Sequence, residues 1–173
     1  MIQDSHEYQL IKTFYGDRVA RRSQVPLINH INEGLIILDS ISATEGAKRA
    51  FCIHPLLQHD DDLRTNYMMV EHVTGAHVMM LAMEYRSVAN EFLSDKMDLV
   101  TVPDIRLSPL KEVNDMLVAD KVQNYKDFVT HHYDKHPRSD KLNEYFHRWL
   151  DKLEVGYDMY GRLCQRIDLS KNG

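Results

Sequence analysis

Apolar residues recur along most of this chain at intervals of three and four, while alternation at every second position is weak throughout. That period predicts α-helices and little sheet. Behind Pro26, the residues Leu27, Ile31, Leu35 and Leu38 form one stripe, and Thr44-Glu45 reads as a helix start leading into Ala47, Ala50, Phe51 and Ile53. From Tyr67 to Phe92 the pattern stays helical, with a corner at Gly75; Met68, Met69, Met79, Met80 and Met83 along it read as core filler. The stretch from Met97 to Arg106 mixes charges with Val-Pro and reads as a loop. Ser108-Pro109 then opens a helix through Val113, Leu117, Val118, Val122 and Phe128. After a polar break from His131 to Arg138, Ser139 is expected to cap a last long helix through Leu142, Phe146, Trp149, Leu153 and on to Leu163. The expectation is an all-α, single-domain bundle of about six or seven helices over residues 1–173, without repeats or linkers.

Composition narrows the function classes. An apolar share of 43% with 27% charged residues argues against disorder. The net charge of -5 argues against nucleic acid as the main partner, although a metal or a local basic pocket still lets such a surface hold a small polyanion. Two cysteines, Cys52 and Cys164, are too few for a disulfide framework and suit a reducing cytosol. Met1 to Tyr15 lacks the plan of a signal peptide, and no apolar run reaches transmembrane length. These features predict a cytoplasmic protein with no membrane partner. A homo-oligomer stays open, because the apolar face of the last helix, with Trp149 and Tyr157, reads either as core or as a dimer seam.

Ten histidines raise the question of which few converge. Three places carry ligand chemistry: His30 near a helix start, His59-Asp60 followed by Asp61 and Asp62, and Asp120 midway along an apolar helical face. Each has a plainer account. A histidine at a helix mouth is commonly a cap, and an acidic run is commonly a solvated helix end. Asp120 resists that account, because a carboxylate flanked by Val118, Ala119 and Val122 is costly to bury without a partner. Together the imidazoles and carboxylates suit a divalent metal that polarises a phosphoryl oxygen and activates water.

The order His30, His59-Asp60, Asp120 resembles the H…HD…D pattern of HD-domain phosphohydrolases, and more closely the hydrolase domain of RelA/SpoT homologues, including the small alarmone hydrolases. The resemblance covers most of the chain. Arg21-Arg22 before Val-Pro-Leu-Ile-Asn-His30 is similar to that family's basic pair and Pro-Tyr-Ile-x-His segment. Gly75-Ala76-His77-Val78 is similar to its Phe-Gly-x-x-Val corner, Val118-Ala119-Asp120-Lys121-Val122-Gln123-Asn124 to its Leu-Ala-Asp-Arg/Lys-Leu-x-Asn motif, and Glu144-Tyr145-Phe146 to a later segment. The resemblance implies an HD-type bundle in which His30, His59, Asp60 and Asp120 hold a metal, typically manganese. It places Asn124 against the nucleoside and Arg21 or Arg22 near the nucleotide, with Lys121, Lys126 and Tyr145 as further contacts. The activity implied is release of the 3'-pyrophosphate from guanosine 3',5'-bis(diphosphate) (ppGpp). The same scaffold also suits a deoxynucleoside tri- or monophosphate hydrolase, or a metal-free nucleotide-binding protein.

The central motif departs from the family pattern. In one register His54 takes the motif histidine, Pro55 replaces the metal aspartate, and Gln58 and His59 replace the acidic pair that positions the attacking water. In the other register His59-Asp60 keeps the ligand pair, with Asp61 or Asp62 left to act as the base. The second register alone supplies the carboxylate and is the one favoured here. Pro55 is also expected to break the helix near His54.

Overall fold

A computed structural model describes residues 1–21, 23–99, 101 and 104–171. The described residues are all-helical: α1 (His6–Tyr15), α2 (Ile28–Ser40), α3 (Glu45–Leu57), α4 (Asp60–Val73), α5 (Ala76–Glu91), α6 (Lys111–His131), α7 (Ser139–Lys152) and α8 (Tyr157–Lys171), with short 3-10 turns at Ile2–Asp4 and Ser94–Asp98. No described helix is long and apolar enough to cross a membrane. Both cysteines are free thiols.

α3 runs through the middle because it is apolar almost all round. Ala47, Ala50, Phe51, Cys52, Ile53, His54, Leu56 and Leu57 are buried in it, and α1, α2, α4, α5 and α6 pack around it. A helix apolar on every side has no solvent face to offer and takes the centre of the bundle. The longest helix, α6, lies against α2, α3, α5, α7 and α8. α2, α3 and α6 therefore touch pairwise, and side chains at their meeting point share one small volume. α2 and α3 approach very closely at Gly34, where an added Cβ would fall inside the Phe51 ring. Between α1 and α2, the segment 18–27 doubles back through a bridge of Val19 with Pro26 and bonds from Ala20 N to Val25 O and Leu27 N to Arg18 O.

Several local signals act as the sequence suggests. The Thr44 hydroxyl accepts from Ala47 N at 3.2 Å and caps α3. Gly75 stands at the start of α5, and the Ser108 hydroxyl accepts from Leu110 N ahead of α6. Others do not. The described residues form eight α-helices rather than six or seven, because α1 forms from the mixed N-terminal stretch and the expected last helix is two. α7 ends in a Schellman closure: Glu154 takes φ +57, and Val155 N and Glu154 N bond back to Leu150 O and Asp151 O. Ser139 does not cap α7; its hydroxyl accepts from Asp134 N. Of the methionines, Met79 and Met83 pack against the core, while Met68, Met69 and Met80 are exposed. Only Asn66 and Val70 of α4 are buried, so most of that helix faces solvent. Trp149 is fully buried and belongs to the core, whereas Tyr157 is 90% exposed.

The largest difference concerns Pro55, which lies inside α3 without ending it. A proline at this position has no N–H to give the carbonyl four residues back. That carbonyl, on Phe51, accepts instead from His54 Nδ1 at 2.7 Å. The helix keeps its course because a side chain serves the orphaned acceptor.

Candidate functional site

His30 from α2, His54 from α3 and Asp120 from α6 meet where their helices touch, and one ligand atom from each lies within 4.8 Å of the others. His30 Nε2 stands 3.3 Å from His54 Nε2. Asp120 Oδ1 lies 3.6 Å from the first and 3.9 Å from the second. Among the described residues, this is the group of histidines, cysteines and carboxylates placed to hold a metal ion.

The far nitrogen of each ring fixes its tautomer. His54 Nδ1 faces a carbonyl, which only accepts, so it carries a proton there. His30 Nδ1 lies 2.7 Å from Gln123 Oε1, and the Gln123 amide nitrogen is turned the other way, donating to Asp127 Oδ2 at 2.8 Å. His30 is thus protonated on Nδ1 as well. The two Nε2 lone pairs then face each other and the Asp120 carboxylate, an arrangement that repels unless a cation lies between them. Metal-ligating histidines usually spend their other N–H on such an acceptor. Two imidazole nitrogens on one ion at about 2.1 Å each lie roughly 3.0–3.4 Å apart at ordinary ligand angles, which brackets the separation here.

Burial, reinforced by His30, pulls the His54 imidazole down to about 3, so it is neutral at neutral pH. Burial opposes ionisation of Asp120, but the Lys121 ammonium together with His30 and His54 outweighs it and holds the carboxyl at about 2. Lys121 Nζ lies 2.8 Å from Asp120 Oδ2 and 5.0 Å from the centre of the Trp149 ring. Asn124 Nδ2 donates to Asp120 Oδ1 at 2.8 Å. Burial, and then Asp120 itself, keeps the neighbouring Tyr85 hydroxyl protonated. Asp120 therefore has Oδ2 held by lysine, while Oδ1 accepts from Asn124 and faces the histidines.

These residues form one wall of an open cavity of about 630 Å³, lined also by Ala20, Val25, Gln58, His59, Phe128 and Leu142. The volume is within the usual range for small-molecule sites. It contains both imidazole-rich and apolar surface.

Of the residues singled out in the sequence, the structure brings together His30, His54 and Asp120, with Lys121 and Asn124 beside them. It does not bring His59-Asp60 into the group. His59 precedes α4 and sits on the cavity wall, exposed. Asp60 turns to the surface, where its carboxylate pairs with Arg86. Asp61 pairs with Arg64 at 3.2 Å in solvent, and neither it nor the half-buried Asp62 lines the cavity. The physical reason is the length of α3: the helix carries past Pro55 to Leu57, so His54 faces inward while the acidic run opens the next helix. There Asp60, Asp61 and Asp62 occupy its first turn, where carboxylates favour the dipole. Arg21 is exposed on the 18–27 segment, and Arg22 lies outside the described residues. Lys126 is engaged by Asp127 and Glu33. Tyr145 is buried with its hydroxyl 3.3 Å from Lys121 Nζ. Sequence reasoning gave no role to Gln123, Tyr85 or the Phe51 carbonyl. Only Gln123 left a trace, lying three residues after Asp120 and so on the same face of α6.

Compared with family models, curated proteins and solved structures, the chain finds no match.

Proposed function

We propose that this chain is a metal-dependent phosphohydrolase of the HD type that acts on a phosphorylated nucleotide, with ppGpp as its leading substrate. One observation carries the proposal: His30 Nε2, His54 Nε2 and Asp120 Oδ1 converge as acceptors on a single point in the wall of a nucleotide-sized cavity. This donor set suits manganese, zinc or iron. When bound, such an ion supplies a Lewis acid for a phosphoryl oxygen and lowers the pKa of a bound water.

The protein's own residues do the rest. Two carboxylates line the cavity, and each has a lysine beside it: Lys121 pairs with Asp120 and Lys126 with Asp127, which lowers the repulsion an anionic phosphate would meet there. Asn124 steadies Asp120 and presents its remaining polar edge to the cavity. In the register that the geometry supports, Gln58 and His59 stand where the resembled family has its acidic pair, and both line the cavity. His59 is then the base that takes the proton from the attacking water. The oxygen of that water adds to the phosphorus on the 3' oxygen of ppGpp, the bond from that phosphorus to the sugar oxygen breaks, the departing 3' oxygen takes up the proton that His59 removed, and the products are GDP and pyrophosphate.

A second reading has its own observation. Among the described residues lining the cavity, Lys121 is the one lysine or arginine, and it is already paired with Asp120. That favours a substrate with fewer phosphates, such as a deoxynucleoside monophosphate, on the same metal.

The test is turnover of ppGpp, dATP and dGMP with added manganese, followed by chromatography of products. The expected result is manganese-dependent release of GDP and pyrophosphate, lost in Asp120→Ala and His54→Ala and kept in Asp60→Ala. Turnover of dGMP alone would select the second reading. No turnover of any of the three by a metal-loaded protein would overturn the hydrolase proposal.

A further inference from the structure

Behind His30 lies a polar network buried between α2, α6 and the end of α8. Glu33, one turn along α2 from His30, is 4% exposed, and Gln123 is 1% exposed. Gln123 Nε2 donates in two directions, to Glu33 Oε2 at 3.2 Å and to Asp127 Oδ2 at 2.8 Å. Lys126 Nζ bridges the same two carboxylates, 2.9 Å from Glu33 Oε2 and 2.7 Å from Asp127 Oδ1. Lys171, at the end of α8, reaches Glu33 Oε1 at 2.7 Å. Burial alone would push the Glu33 carboxyl up, but Lys171, Lys126 and Gln123 outweigh it and keep it ionised.

An amide has a donor end and an acceptor end that are nearly equal in shape, so a carboxamide can be turned over at little steric cost. Here turning is prohibited electrostatically. With Gln123 reversed, its oxygen would face two carboxylates and its NH2 would face His30 Nδ1–H. We propose that Glu33 and Asp127 are positioning residues that lock the Gln123 amide and, through it, hold His30 in the tautomer whose Nε2 is free for a metal. The consequence for metal rests on the proposed metal site; the lock itself does not. One carboxylate is enough to set the amide, so the two are redundant. Removing both releases it.

The prediction is therefore non-additive. In the metal-free full-length protein, 15N-labelled histidine read by two-bond proton–nitrogen correlation shows His30 protonated on Nδ1. It stays so in Glu33→Gln and in Asp127→Asn, whose Zn²⁺ affinities fall by no more than about 3-fold. In the double variant, two amides no longer dictate the direction of Gln123. The His30 proton is shared between Nδ1 and Nε2, and Zn²⁺ affinity falls about 10–100-fold, as expected when an outer-shell partner of a ligand is lost. A folded double variant with an unchanged His30 tautomer would overturn the lock. If the double variant does not fold, Gln123→Leu removes the last link while leaving Glu33 paired with Lys126; an unchanged tautomer there overturns it equally. A wild type that binds no Zn²⁺ would sink the metal site, while the metal-free spectra would still decide the lock.

Discussion

Each of His30, His54 and Asp120 owes its state to a neighbour. Lys121 is the counter-ion of Asp120 at 2.8 Å, with both side chains almost fully buried. Replacing one member of such a pair strands the other, so Lys121→Met is expected to cost about 3–5 kcal/mol in urea unfolding, with part recovered on adding Zn²⁺. His54 has the opposite problem, since burial keeps it neutral and pulls it from its ordinary 6.5 to about 3. On acidification the unfolded chain takes up this proton first. Stability is therefore full above pH 6.5 and falls between 6.5 and 3, by at most about 1.4 kcal/mol per pH unit for this one group. His54→Gln should flatten that part of the profile, measured by urea unfolding at pH 7 and pH 5. An unchanged slope would mean that His54 is protonated in the folded state.

At the scale of elements, the decisive feature is a proline inside a helix. The Phe51 carbonyl accepts from His54 Nδ1 because Pro55 has no N–H to offer it. Pro55→Ala restores a competing backbone donor. It is expected to raise the melting temperature, since the proline penalty of up to about 3 kcal/mol is relieved, yet to weaken Zn²⁺ binding because the His54 proton loses its dedicated acceptor. Unchanged affinity would show that the carbonyl does not set the tautomer. The contact of α2 with α3 gives a second handle. Gly34 leaves room for the Phe51 ring, whose neighbours are His30 and His54. Gly34→Ala should push that ring toward the histidines, costing about 1–3 kcal/mol in chemical denaturation and reducing metal affinity along with it. The sequence made much of this frame legible. The stripe behind Pro26, the Thr44 cap, the Gly75 corner and the Ala-Asp-Lys-x-x-Asn face of α6 all stand where their patterns put them. It failed at Pro55, because the usual effect of proline was overridden by a side-chain hydrogen bond that no local pattern announces. His59-Asp60 is the favoured register in the sequence because it alone supplies an adjacent carboxylate, and the expected break at Pro55 reinforces that choice over His54. Gly34 was invisible for a related reason: its purpose is a ring on another helix.

On the scale of the whole molecule, the site belongs to no single helix. α2, α3 and α6 each give one residue of the group formed by His30, His54 and Asp120, α5 gives Tyr85, and the end of α8 reaches the network behind His30 through Lys171. A metal held by three helices, as proposed, would bind the folded state and not the unfolded one, and is expected to raise overall stability by about 2.7 kcal/mol at a hundred times its dissociation constant. The central claim is that His54, and not His59-Asp60, completes a metal site with His30 and Asp120. It is tested most directly by elemental analysis of the full-length protein loaded with manganese or zinc and freed of excess, beside its His30→Ala, His54→Ala, Asp120→Ala and Asp60→Ala variants. The prediction is about one ion per chain in the wild type and in Asp60→Ala, and almost none in the other three. Metal kept by His54→Ala and lost by Asp60→Ala, or a wild type that retains none, would contradict it.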